Sequence, residues 1–260
     1  MMEAINFLIY PFLVCIMLIL IHVYFGIHIL ERGIIFVDLS LAQFIGLGIA
    51  LSFLMGEEYR YLFSIIFAVI GASILTVSRR VARFVNIEAF IGVLYIFSLA
   101  TSILILDQTP HGLEEFKTIL NGNILWVTPK DVLNTGIIYS LVGILHFVFR
   151  KKFLSLSFDD AGNILWEFIF FLSFAIVLVK SVLIAGILQV FSFLLIPALI
   201  GRFYYKKNIS SVLMLGWVIG FLVSLFGITL SYKLDLPTAP FIVASLSITF
   251  FLQLFVKTLK

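Results

Sequence analysis

The chain has 260 residues, of which 62% are hydrophobic and only 12% charged, with 17 basic and 14 acidic side chains. A soluble domain averages about a quarter charged residues and under half apolar, and a globule needs a solvated exterior that this composition cannot supply. Lipid must be the solvent, which excludes a soluble enzyme, and the basic residues occur in short membrane-flanking groups rather than the broad patch a nucleic-acid binder needs.

The first apolar stretch, "MMEAINFLIYPFLVCIMLIL", lacks a basic n-region and a small-residue cleavage site, so it reads as a retained span over 7–30. It carries the single cysteine, Cys15, so no intramolecular disulfide can form. A helix needs about 20 apolar residues to cross the hydrocarbon layer, and further spans follow at 34–55, 60–78, 87–106, 131–149, 166–180, 183–203, 209–231 and 239–256. Long Leu/Ile/Phe runs without alternation favour helices over a β-barrel. The expectation is an all-α integral membrane protein, a polytopic bundle of eight or nine transmembrane helices forming one domain over 1–260.

Basic residues gather at alternate span ends: Arg32; Arg79, Arg80 and Arg83; Arg150, Lys151 and Lys152; Arg202, Lys206 and Lys207; Lys257 and Lys260. The positive-inside rule makes that side cytoplasmic, which puts the N-terminus outside and the C-terminus inside. Even parity between the basic groups at 150–152 and 202–207 gives a tight pair of spans turning near Lys180-Ser181, the alternative being a broken or re-entrant element with a different total.

Two connectors stand out. In the outer one, Leu113, Phe116, Ile119 and Leu120 recur at helical spacing, which predicts a short surface helix. Thr128-Pro129 then reads as an N-cap followed by proline at the first helical position. The inner connector, 150–165, places Phe158, Asp159, Asp160, Ala161 and Gly162 between a basic anchor and Trp166. It reads either as an ordinary loop or as a docking element for a cytoplasmic partner.

Three acids lie in or at the edges of spans: Asp38, Glu88 and Glu167. Glu88 and Glu167 fall in the first turns of their helices, where the helix dipole stabilises an acid. Asp38 sits in a stretch rich in small and polar residues, among them Ser40, Ala42, Gln43, Gly46 and Gly48. Small residues allow close helix approach, and intramembrane acids usually face a bundle interior or an aqueous path. Asp38 is therefore a candidate pathway residue, with Ser40 and Gln43 as neutral oxygen donors; helix-packing glue and interface anchoring are the plainer readings. His22 and His28 lie about 240° apart on the first helix at about 100° per residue, so they read as hydrogen-bonded structural histidines more readily than as ligands of one ion. His146, beside Arg150, and His111, in the outer loop, read as solvated.

The chain has no G-x-x-x-x-G-K-[ST] loop, no H-E-x-x-H and no G-x-S-x-G, so nothing in it points to nucleotide hydrolysis, a metalloprotease or a serine hydrolase. The stretches "ERGIIFVDLSLAQFIGLGIALSFLMG", "EAFIGVLYIFSLATSILIL", "GLEEFKTILNGNILWVTPKDV", "LSFDDAG", "KSVLIAGILQVFSFLLIPALIGR" and "GITLSYKLDLPTAPFIV" occur in this order and cover nearly the whole chain. Together they resemble the permease subunit of the ABC transporters for manganese, zinc and iron.

That resemblance implies a type II importer-like permease in the plasma or inner membrane, assembled as a homodimer. Two cytoplasmic ATP-binding subunits would drive it, and an extracytoplasmic metal-binding protein would deliver a divalent ion, zinc or manganese foremost. No cofactor would be bound by the chain itself. The family's F-D-P-E-like coupling motif matches Phe158, Asp159 and Asp160, without its proline. Many members carry D-A-L-S-H-A in the second span; here Asp38 matches the acid, and Ala42 or Gln43 stands where the histidine would be. A branch of the family resembles "HVYFGIHILERGIIFVDLSLAQ", with His22 and His28 included. The rivals to this reading are a permease for a siderophore- or cobalamin-like chelate, and a self-sufficient secondary transporter or channel, in which Asp38 would be a proton- or sodium-linked site.

Overall fold

The computed structural model describes residues 2–159, 162–205 and 208–259. All of its regular structure is helical: α1 (Met2–Arg32), α2 (Val37–Met55), α3 (Arg60–Thr76), α4 (Ser78–Val81), α5 (Ile87–Leu106), α6 (Gly112–Asn121), α7 (Pro129–Val148), α8 (Arg150–Phe158), α9 (Ile164–Tyr204), α10 (Ile209–Leu234) and α11 (Thr238–Thr258), with two single 3-10 turns. Among the described residues, eight helices are long and apolar enough to cross a membrane.

The longest, α9, is two helices joined at Gly186, whose φ of 74° and ψ of 167° leave helical geometry. Contacts with α1 show that its two arms run in opposite directions. Glu167 in the first arm meets Arg32 and Ser181 packs level with His22 through Tyr139, so that arm is antiparallel to α1. In the second arm Gln189 meets Cys15 and Arg202 pairs with Glu31, so that arm is parallel to α1. Arms of residues 164–185 and 187–204 measure roughly 33 and 27 Å at about 1.5 Å per residue, close to the roughly 30 Å hydrocarbon thickness. With the two arms of α9 counted separately, the described residues contain nine stretches of about the length a passage needs.

The expected turn near Lys180-Ser181 is displaced to Gly186. Lys180 and Ser181 stay helical because each finds a partner there: Lys180 Nζ donates to Asp131 Oδ1 at 3.1 Å, and Ser181 Oγ donates to the Val177 carbonyl at 2.7 Å. Chain reversal waits for a residue without Cβ, and a Cβ on Gly186 would lie 2.3 Å from the Gly122 nitrogen. The first arm also begins at Ile164, two residues before the expected boundary, because Asn163 caps it through Oδ1, which accepts from Leu165 and Trp166.

Three elements form the core: α1, α2 and the α9 hairpin. On α2, burial extends right round the helix, because small residues let its neighbours close in. A Cβ at Gly48 would lie 2.5 Å from the Phe63 carbonyl oxygen of α3, and one at Gly26 of α1 would lie 2.0 Å from that of Leu194. Helices α3, α5, α7, α10 and α11 form the outer layer and keep large apolar side chains such as Leu104, Leu141, Phe226 and Phe251 exposed, as lipid-facing surfaces require. Their hydroxyls turn back onto their own helices, as Ser98 does onto the Leu94 carbonyl and Thr249 onto that of Ser245.

The two ends of the bundle differ. At one end α6 lies against the hairpin turn, with Ile119 buried against Gly46 and Asn123 N donating to the Ile184 carbonyl at 2.9 Å. The expected short helix is present, and its apolar side wedges into the bundle. Thr128 caps α7 as expected: its Oγ1 accepts from Asp131 N and its own N–H donates to Asp131 Oδ2, both at 3.2 Å, with Pro129 next. At the other end lie Arg32, the short helices α4 and α8, and the start of α5.

Candidate functional site: buried polar groups at the Arg32 end

Asp38 occupies the second position of α2, after Phe36, whose side chain provides no cap. The residue is 0% exposed, and neither carboxylate oxygen has a hydrogen-bond partner. The orphan N–H groups of the first turn favour a negative charge there; nothing else in the described residues offsets its desolvation, which costs far more than that of a neutral group. Ser40 Oγ is likewise buried without a partner, and Gln43 is 2% exposed. Ala42 is buried and offers only a methyl group. These side chains share one crowded helix yet point in different directions round it, and Asp38 does not line the cavities at either end of the bundle.

The histidines of α1 look elsewhere. His22 Nδ1 donates to the Leu18 carbonyl at 2.8 Å, which leaves the Nε2 lone pair buried with no partner. His28 Nδ1 lies 2.8 Å from Ser157 Oγ of α8. Among the described residues, no group of three or more histidine, cysteine or carboxylate side chains converges into a chelating cluster.

His146 is not solvated; it is 3% exposed. Its ring stacks on Phe153 at 3.9 Å and 6°, because α8 folds back against the last turn of α7. Ser173 donates to the Phe170 carbonyl at 2.9 Å and so accepts from His146 Nε2 at 2.8 Å, while Tyr24 donates to Nδ1 at 2.9 Å. His111, in contrast, is exposed beside Glu114.

Two further groups were not singled out for chemistry by sequence reasoning. Glu167 does sit in a first turn, as expected, and it also accepts from Arg32 Nη1 at 2.9 Å, with both side chains about 5% exposed. Arg32, read from sequence as a flanking charge, lies 4.1 Å over the Phe170 ring and donates through Nε to Ser157 Oγ at 2.9 Å. A lone arginine and a lone glutamate at the same end of two spans were the legible signal; that they meet was not. Glu88 lies in the first turn of α5, which Asn86 caps by accepting from Ala89 N at 3.1 Å, and both Glu88 oxygens are buried without a partner.

A cavity of about 550 Å³ opens beside these groups, lined among others by Glu31, Arg32, Ser78, Ser157, Phe158 and Glu167. Asp159 is exposed just beyond α8, and Gly162 is exposed just before α9; Asp160 and Ala161 lie outside the described residues.

The sequence profile of the ABC 3 transport family matches residues 4–257. A Chlamydia muridarum protein named "Probable metal transport system membrane protein" is 30% identical over 178 residues, covering 65% of this chain and 60% of that one. The chain therefore spans under two thirds of that relative's length. The manganese import system permease protein ScaB of Streptococcus parasanguinis is 24% identical over 239 residues, 89% of this chain and 84% of that one. Among solved structures, PsaBC from Streptococcus pneumoniae in complex with Fab superposes with a TM-score of 0.79 at 21% identity, over 97% of this chain and 93% of that one. That likeness extends the helical order described above to a known fold.

Proposed function

The chain belongs to the ABC 3 transport family, and from that premise we propose that it is the membrane-spanning permease subunit of an ATP-driven importer for a divalent metal ion. Members of the family are membrane permeases whose ATP hydrolysis is carried by separate subunits. Manganese is the first ion to test, since relatives bear that name; zinc and iron are the other ions of this reading. Its partners would be two cytoplasmic ATP-binding subunits, an extracytoplasmic metal-binding protein and a second copy of the chain. The basic residues gathered at the Arg32 end support reading that end as the cytoplasmic one, in a cell-membrane protein.

One observation carries the reading: a carboxylate, Asp38, sealed in the core of α2 with neither oxygen satisfied. Such a group is costly to keep in a bundle and is kept where a passing cation can use it. An ion crossing the bilayer exchanges hydration for fixed donors, and hard divalent ions take oxygen. Asp38 supplies the negative donor. Ser40, with its unpartnered hydroxyl, and Gln43 would supply neutral oxygens only if a local change in the geometry of α2 brought them near Asp38. A few loose donors suit a carrier, which must release what it binds. His22, with a free ring nitrogen at the same core helices, and His28 stand as further pathway candidates.

The test is manganese uptake by the chain reconstituted with its ATPase partner in vesicles. Asp38→Asn removes the charge and keeps the shape, so uptake should fall at least roughly tenfold while insertion and recovery of the complex stay unchanged. Uptake equal to wild type would remove Asp38 from the path.

A further inference from the structure

The last turn of α8 is gripped from the core. Ser157 Oγ accepts from Arg32 Nε at 2.9 Å and has its own proton to give to His28 Nδ1, 2.8 Å away. Arg32 in turn donates to Glu167 Oε2 at 2.9 Å, so one α1 side chain ties α8 to the first arm of α9. The second arm joins through the Arg202–Glu31 pair, and the Arg202 guanidinium lies 5.9 Å over the ring of Phe158. Beneath α8, Phe153 is fully buried against His146 and packs edge-on against Trp166.

Water is largely shut out of this joint: the Arg32 and Glu167 side chains are 5% and 4% exposed, and His28 is 2% exposed. Charge-assisted hydrogen bonds are stronger in such surroundings and hold their partners in a defined geometry. The 550 Å³ cavity lies on the other side of the joint, between it and Ser78, Ala82 and Ile87 of the α4–α5 region. The segment is therefore fixed to α1 and α9 on one flank and has room to travel on the other.

We propose that Ser157, His28, Arg32 and Glu167 are positioning residues that carry a displacement of α8 into α1 and both arms of α9 as one rigid body. This rests on reading α8 and the residues after it as the segment on which the ATPase partner acts. None of the four need touch the ion for this role. Their work is to make ATP-driven movement of the short helix reach the core helices, and through the 33–36 turn the start of α2 and Asp38.

The experiment uses the complex with its ATPase partner in vesicles, comparing wild type with Ser157→Ala and Ser157→Thr. Removing the hydroxyl cuts the tie and leaves the Arg32–Glu167 pair in place. Ser157→Ala should keep ATP hydrolysis within roughly twofold of wild type while manganese moved per ATP falls about tenfold; Ser157→Thr should restore the ratio. An unchanged ratio in Ser157→Ala overturns the proposal, as does loss of the ATPase from the purified variant, which would make Ser157 a docking residue.

Should the wild-type complex hydrolyse ATP without moving manganese, zinc or iron, the proposed function fails and the joint is read without the ion. Spin labels at Lys151→Cys and Phe36→Cys, both exposed positions, report the separation of α8 from the α1–α2 turn. That distance should stay constant between nucleotide-free and vanadate-trapped wild type and change in Ser157→Ala. Identical responses in the two proteins overturn the joint.

Discussion

At the scale of single residues, the buried charges of this protein fall into two kinds, satisfied and unsatisfied. Arg32 and Glu167 belong to the first, joined at 2.9 Å in a nearly dry setting with Ser157 and the Phe170 face around the guanidinium. Breaking such a pair from one side costs about 3–5 kcal/mol, because the surviving charge stays buried, whereas replacing both members by apolar groups costs less. Glu167→Gln should therefore lower the unfolding midpoint of the detergent-solubilised protein more than the double change Arg32→Met with Glu167→Leu. A double variant that unfolds earlier than the single one would contradict this ordering. Asp38 is of the second kind, and its lack of partners could not be read from sequence. Its presence in an apolar, small-residue stretch could. The cap at Thr128 was fully legible, since it depends on residues three apart. His146 was not, because its burial comes from α8 folding back onto α7, a contact that adjacency to Arg150 in sequence conceals.

At the scale of elements, hydrophobic runs in the sequence correspond to long helices among the described residues, while their turns were set by contacts between distant segments. The reversal of α9 shows why. Polarity in the sequence points to Lys180-Ser181, yet both are neutralised inside the helix by α7 residues, Asp131 and Tyr139. The actual turn at Gly186 faces Gly122, itself at a φ of 64°, and the two backbones meet where neither residue can carry a Cβ. Gly186→Ala would put a methyl group 2.3 Å from the Gly122 nitrogen and 2.4 Å from the Asn121 carbonyl carbon in a left-handed backbone conformation. Neither backbone can give way cheaply, so the yield of folded protein should drop sharply. Gly143→Ala provides the contrast, since nothing lies within 4 Å of its Cβ and it sits inside α7. There the gain in helix propensity, up to about 1 kcal/mol, should leave yield unchanged or improved. Equal yields from the two alanine variants would mean that the hairpin turn tolerates a side chain and that the glycine pair does not hold α6 in place.

At the scale of the whole molecule, composition announced a membrane bundle and the ordered stretches announced its family, but the source of energy is not written in the chain. It has no nucleotide-binding loop, so movement must be driven either by a partner or by an ion gradient. In the proposed reading the partner drives it, acting on α8 and Asp159 just beyond it, where Lys151, Lys152 and Asp159 are exposed and Ser157 ties the segment to the core. A gradient-driven carrier has no need of such a handle. Reversing the charge of Asp159, which the structure leaves exposed at the tip of that handle, should therefore separate the two mechanisms. If an ATPase docks there, Asp159→Lys releases it from the purified complex and stops ATP-dependent uptake, while the isolated chain in vesicles carries no manganese under an ion gradient in either form. If the isolated chain does carry manganese without ATP, and Asp159→Lys leaves that transport untouched, the energy comes from the gradient and the ATP-driven reading falls. The two readings share Asp38 as the carboxylate in the core, so a substitution there cannot choose between them, whereas Asp159→Lys and transport by the isolated chain can.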